Sequence, residues 1–221
     1  MLKMKILINT AAAALALAAA VSAIAMQSGS QDPPRGQRGQ WDQGGRDGKG
    51  WTERDKQERL ERLSKTLAWR MNAPDPGPET TFLHARASEL LERTRQARAN
   101  NFQFDRLARA MDALLRASER IFMSRKAGEI DDNDKRDAAE FLQRCYFRVQ
   151  QAGYFAELSG EKLANQYVTY TRSLYQQARS AYDAHQYDRA QMLGDASSMI
   201  VAALENIAHA SLRIPDPPVI K

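Results

Sequence analysis

The chain has 221 residues, with 32 basic and 27 acidic side chains, three histidines and one cysteine. That length allows one sizeable domain or two small ones. A net charge of only +5 is no footprint for nucleic acid, and a lone Cys145 excludes an intramolecular disulfide, so apolar burial must hold the fold together.

Residues 1–25 have the layout of a cleaved secretory signal. Lys3 and Lys5 form a basic start, Ile6 to Ala20 an apolar run, and Ala23-Ile24-Ala25 a small-residue cleavage site before Met26. An uncleaved anchor is the rival reading, weakened by Asn9, Thr10 and the many alanines. With Lys3 and Lys5 removed, 30 basic side chains face 27 acidic ones, a net of +3. The mature chain is therefore expected outside the cytoplasm, periplasmic or extracellular.

Residues 26–51 are rich in Gln, Gly, Arg, Asp and Pro, with Trp41 and Trp51 as the large apolar groups. Such a segment buries too little surface to offset chain entropy and reads as a disordered linker. Its "GKG" at 48–50 is no phosphate loop. Gln43 stands where the first glycine is needed, and Gly50 where a magnesium-binding Ser or Thr would be.

Residues 52–78 read as a short charged helix and a Pro-rich link. Thr52 can cap the helix, with Asp55 three positions on. Leu60, Leu63 and Leu67 line a narrow apolar face. Three prolines in "NAPDPGP" end it.

From 79 to 212 there is no strand pattern. Leu107, Met111, Leu114, Ser118 and Ile121 keep helical spacing, as do Ala138, Leu142, Cys145, Val149, Ala152 and Ala156. Leu163, Tyr167, Tyr170, Leu174 and Ala181, then Ala190, Leu193, Ser197, Ile200, Leu204 and Ile207, continue it. These are seams of bundle helices. The predicted fold is all-α: an antiparallel bundle of about five long helices preceded by the short charged one. Two hairpins, 79–126 and 161–211, flank one connecting helix. An extended tail, 213–221, follows "IPDPP".

Breaks are expected at Gly128 with "EIDDND", where Asp131 or Asp132 would cap the next helix, and at Ser159-Gly160. Two further breaks coincide with a repeat, "QFDRLARA" from Gln103 and "QYDRAQML" from Gln186. Each reads as a hairpin corner. Asp105 and Asp188 would sit in the first turn of the returning helix, and Phe104 and Tyr187 would fold back on the preceding one. The second corner is the weaker, since unbroken helix from Glu161 to Leu212 also fits the pattern.

Few residues carry a catalytic pattern. Glu-x-x-His and Cys-x-x-Cys-His are absent, which leaves no di-iron or covalent-haem signature. "DDNDKR" departs from a calcium loop at Lys135 and Arg136. Glu205 and His209 make half a metal site at most. "SGEK" at 159–162 satisfies Ser-x-x-Lys without the companion motifs or the mixed fold of penicillin-binding proteins. Cys145 lies on an apolar seam and reads as a buried thiol. No catalytic residue, metal site or cofactor is therefore assigned.

Two features point to binding. Residues 79–126 carry 10 basic and 6 acidic side chains, and 127–160 carry 4 and 7. Arg86 with Arg93, and Arg109 with Arg116, each share a helix face and could attract an envelope polyanion or lipid surface. All seven tyrosines lie between Tyr146 and Tyr187. Tyr167, Tyr170, Tyr175 and Tyr182 suggest either a central helix packed on two sides or a groove for a peptide or apolar ligand. The expected function is a non-enzymatic, exported adaptor that holds a protein partner on helix faces. A bundle binding an anion or apolar ligand, and an enzyme with a site assembled from distant residues, are the alternatives.

Overall fold

The computed structural model describes residues 51–72, 77–127 and 135–212. The expected signal and tail, nearly all of the expected linker, residues 73–76 of the Pro-rich link, and residues 128–134 with the expected caps Asp131 and Asp132 lie outside these residues. Six α-helices follow in order: α1 Glu53–Met71, α2 Gly77–Gln96, α3 Asn101–Ser124, α4 Lys135–Ser159, α5 Ala164–Asp183 and α6 Tyr187–Ser211. A 3₁₀ turn, Ala97–Ala99, joins α2 to α3. No strand occurs among the described residues. The fold is the all-α bundle expected from the spacing.

Local chemistry sets the boundaries. At the start of α1 the Thr52 hydroxyl accepts from the Asp55 N–H, and the Asp55 carboxylate accepts from the Thr52 N–H. This reciprocal pair satisfies two otherwise unbonded donors. Pro78 lies in the first turn of α2, where its missing N–H costs nothing. Gly160 closes α4 at φ +64°, a left-handed conformation that side chains resist.

Both repeats are true corners. Asn100 caps α3 by accepting from the Gln103 N–H, and the chain breaks again between Asp183 and Tyr187 with His185 at φ +60°. Asp188 sits in the first turn of α6 as expected. Asp105 does not sit in the first turn of α3. Asn100 starts the helix earlier, so Asp105 lies a turn further in and pairs with Arg109 at 2.7 Å. Tyr187 folds back on Tyr182, ring centroids 5.4 Å apart. Phe104 is fully buried and also meets Trp51 and Lys56 at the start of α1.

The central helix is α6, and not the tyrosine-rich α5. It packs on α3, α4 and α5. Twelve of its 25 residues are buried, among them Ala190, Gly194, Ala196, Ala203, Ala208 and Ala210. Small side chains spread over about 200° of its circumference let three helices approach one backbone. α3 runs antiparallel to α6, as the pairs Arg120–Asp195, Arg106–Asn206 and Gln103–Ala210 require. α4 runs parallel to it, with Leu142 against Gly194 and the Ser211 hydroxyl donating to the Ser159 carbonyl. α1 lies outside, held on α2 and α3 by buried Leu60, Leu63 and Leu67.

Candidate functional site

The four arginines singled out by spacing all carry carboxylate partners. Arg86 pairs with Glu89, Arg93 with Glu161 of the α4–α5 turn, Arg109 with Asp105 and Arg116 with Asp112. Three of these pairs lie within one helix at i,i+3 or i,i+4, which is how a solvated helix face neutralises itself. Arg93 thereby reaches the α4–α5 turn, while Arg86 lies over Phe82 of its own helix.

The four tyrosines face different neighbours. Tyr167 and Tyr170 pack on Phe82 of α2, with ring centroids 5.1 and 4.9 Å away. Tyr175 meets Tyr146 of α4, and Tyr182 meets Tyr187. Tyr167 is buried, and that burial raises its hydroxyl pKa strongly. These rings are mostly joints between helices.

The other sequence candidates settle into structural roles. The Ser159 hydroxyl donates to the Ala156 carbonyl and accepts from the Glu161 N–H, so it shapes the α4–α5 turn. Glu205 is taken by Arg148 at 2.7 Å. Cys145 is buried against Gly194, and burial pushes its thiol pKa up, the reverse of what a nucleophile needs. Among the described residues, no three His, Cys, Asp or Glu side chains gather as metal ligands would. A cleft of about 400 Å³ between α1 and the end of α2 is lined by Gln57, Leu60, Glu61, Ser64, Lys65, Arg95 and Arg98. Its polar groups are largely engaged already: Arg98 with Gln57 and Glu53, Arg95 with Glu92, and Gln57 with Glu61.

The outer face of α4 is different. Phe147 is 60% exposed, Tyr154 62% and Leu158 37%, while Tyr146, 45% exposed, lies about 100° to one side and packs on Tyr175. Seven and eleven residues separate Phe147 from Tyr154 and Leu158, so all three fall within about 20° of one line along the helix. The line is about 16 Å long. Gln143, Gln150 and Gln151 are exposed beside it, and Arg148 at its edge is drawn away to Glu205. The opposite face of α4 carries the buried seam Ala138, Leu142, Cys145, Val149, Ala152 and Ala156.

Thus α4 is apolar on two opposite sides, and among the described residues only the inner side is covered. A surface helix needs one apolar stripe, so Phe147, Tyr154 and Leu158 are in excess of it, with exposed Gln150 and Gln151 between Phe147 and Tyr154. The inner seam was read from the sequence, while Phe147, Tyr154 and Leu158 were not recognised as a face. Their signal is a second 3-4-3-4 run, Arg144, Phe147, Gln151, Tyr154 and Leu158, displaced half a turn from the first. No family model, curated protein or solved structure matches this chain.

Proposed function

We propose that this chain is a non-enzymatic, exported interaction module of the cell envelope, and that the outer face of α4 holds its protein partner. Export rests on the N-terminal sequence pattern. The interaction reading is carried by one observation, the exposed line of Phe147, Tyr154 and Leu158 on a helix already fully seamed on its other side. The fitting partner is an amphipathic helix with apolar residues at three- and four-residue spacing, which lies in register along such a line. Aromatic rings flanked by glutamines suit this use, because they supply large apolar area while the glutamines keep the free surface soluble. The anion-binding reading has less support, since its arginines are already paired, and the groove reading less still, since its tyrosines diverge.

The test is crosslinking and capture of mature protein from its own envelope fraction, beside a Phe147→Ser/Tyr154→Ser variant. A partner recovered by the parent chain and lost with the variant, at unchanged melting temperature, is the expected result. Equal recovery by both would remove α4 as the site, and no partner for the parent chain would remove the interaction reading.

A further inference from the structure

The cleft between α1 and the end of α2 owes its shape to a short link. α1 ends at Met71 and α2 starts at Gly77, so the two helices return side by side and run antiparallel. Arg98, just past the end of α2, accordingly reaches Glu53 and Gln57 at the start of α1, each at 3.2 Å. Gln57, Glu61, Ser64 and Lys65 fall on one side of α1, next to buried Leu60. Arg95 and Arg98, three positions apart, form the facing wall.

Three cations, Lys65, Arg95 and Arg98, line this cleft with one carboxylate, Glu61. The carboxylate is turned to Gln57, whose Nε2 donates to it at 2.9 Å. Arg98 shares Glu53 with Lys56, whose Nζ lies 2.8 Å from the same carboxylate, so two cations lean on one acid at the inner end. Arg95 pairs with Glu92 of its own helix, and both are well exposed. A solvated pair of this kind is weak and exchanges readily. The negative dipole end of α2 would oppose an anion, but the Lys56 ammonium donates to the Arg98 carbonyl there.

We propose that this cleft binds a phosphate monoester. Two guanidinium forks match phosphate oxygens, and Lys65 adds a compact positive charge from the other wall. Three cations less one carboxylate leave two positive charges in the lining. A phosphate monoester carries nearly two negative ones at neutral pH, whereas a carboxylate carries one. The volume of about 400 Å³ is more than a phosphate group fills, and the Leu60 and Ser64 side of the cleft receives a small organic body. Bound there, the ester ties α1 to the end of α2. The site is separate from the outer face of α4, and the inference is independent of it.

NMR titration of the whole mature protein tests the site. Phenyl phosphate should shift the amide signals of Ser64, Arg95 and Arg98 and saturate at millimolar concentration or below. Phenol, the same ring without the charge, should not. Lys65 and Arg95 are exposed, so Lys65→Gln and Arg95→Gln should fold normally and each weaken binding about tenfold. Glu61→Gln should tighten it. Phosphatidylcholine vesicles with and without phosphatidic acid separate two sources of the same group. Capture that needs phosphatidic acid and is lost in Lys65→Gln/Arg95→Gln assigns the phosphate to a lipid headgroup, and binding of phenyl phosphate alone assigns it to a soluble ester. The proposal is overturned if neither probe binds, if binding survives both substitutions unchanged, or if phenol binds as well as phenyl phosphate.

Discussion

Gly194 tests how α6 can serve as the central helix. A Cβ placed there would lie 3.1 Å from Leu142 Cδ2, 3.2 Å from Phe141 Cε1 and 3.3 Å from Cys145 Sγ. Replacing a mid-helix glycine by alanine ordinarily stabilises by about 1 kcal/mol. Here the methyl group is tighter than ordinary packing against three neighbours. Phe141 is half-buried and can swing aside, but Leu142 and Cys145 are enclosed. Overpacking of this kind costs roughly 1–3 kcal/mol. At the middle of that range it outweighs the propensity gain, for a net loss of about 1 kcal/mol. In a domain of this size that lowers the melting temperature by about 2–4 °C. Gly194→Leu should do considerably worse, because it must push α4 off α6. Thermal unfolding followed by circular dichroism reads both. A rise of 2 °C or more in Gly194→Ala would refute the argument that this glycine sets the α4–α6 approach.

Asn100→Ala removes the side-chain acceptor at the start of α3 and should cost about 1 kcal/mol by urea unfolding, with Asn100→Asp close to the parent chain. Gly160→Ala has open space for its methyl group but keeps φ +64°, so it should lose about 1 kcal/mol through backbone strain alone, and Gly160→Asn less. Phe147→Ser/Tyr154→Ser removes groups that are mostly in solvent and should shift stability by no more than about 0.5 kcal/mol; a larger loss would mean that the outer face of α4 is structural. Cys145 should react slowly with iodoacetamide in the native state at pH 8 and rapidly in denaturant, since the thiol is enclosed and its pKa raised. Fast native labelling would show that the α4–α6 joint opens.

Elements whose signal is local were legible in the sequence. The Thr52–Asp55 cap and the break at Gly160 follow from local chemistry within a few residues. The helical seams follow from periodicity, because a residue four positions on returns to the same face whatever the helix packs against. Spacing could also show that Leu60, Leu63 and Leu67 share a face.

What packs on each face is a different kind of fact. Spacing placed Arg86, Arg93, Arg109 and Arg116 in pairs, but not Glu161 beside Arg93, 68 residues away. It grouped the tyrosines by composition, and only the packing separated Tyr167 and Tyr170 on Phe82 from Tyr175 on Tyr146. It made α5 the candidate for the centre through its two stripes of large rings, whereas the centre went to α6. The smallest side chains allow the closest approach of several helices, and periodicity of large residues does not register them. The same holds for α4. Spacing showed the inner seam of α4, but not that Phe147, Tyr154 and Leu158 stay uncovered among the described residues. Sequence determined the helices, their ends and their faces, because those depend on neighbours in the chain. The tertiary structure decided which faces are covered and which charges meet, because burial and Coulomb interactions depend on neighbours in space.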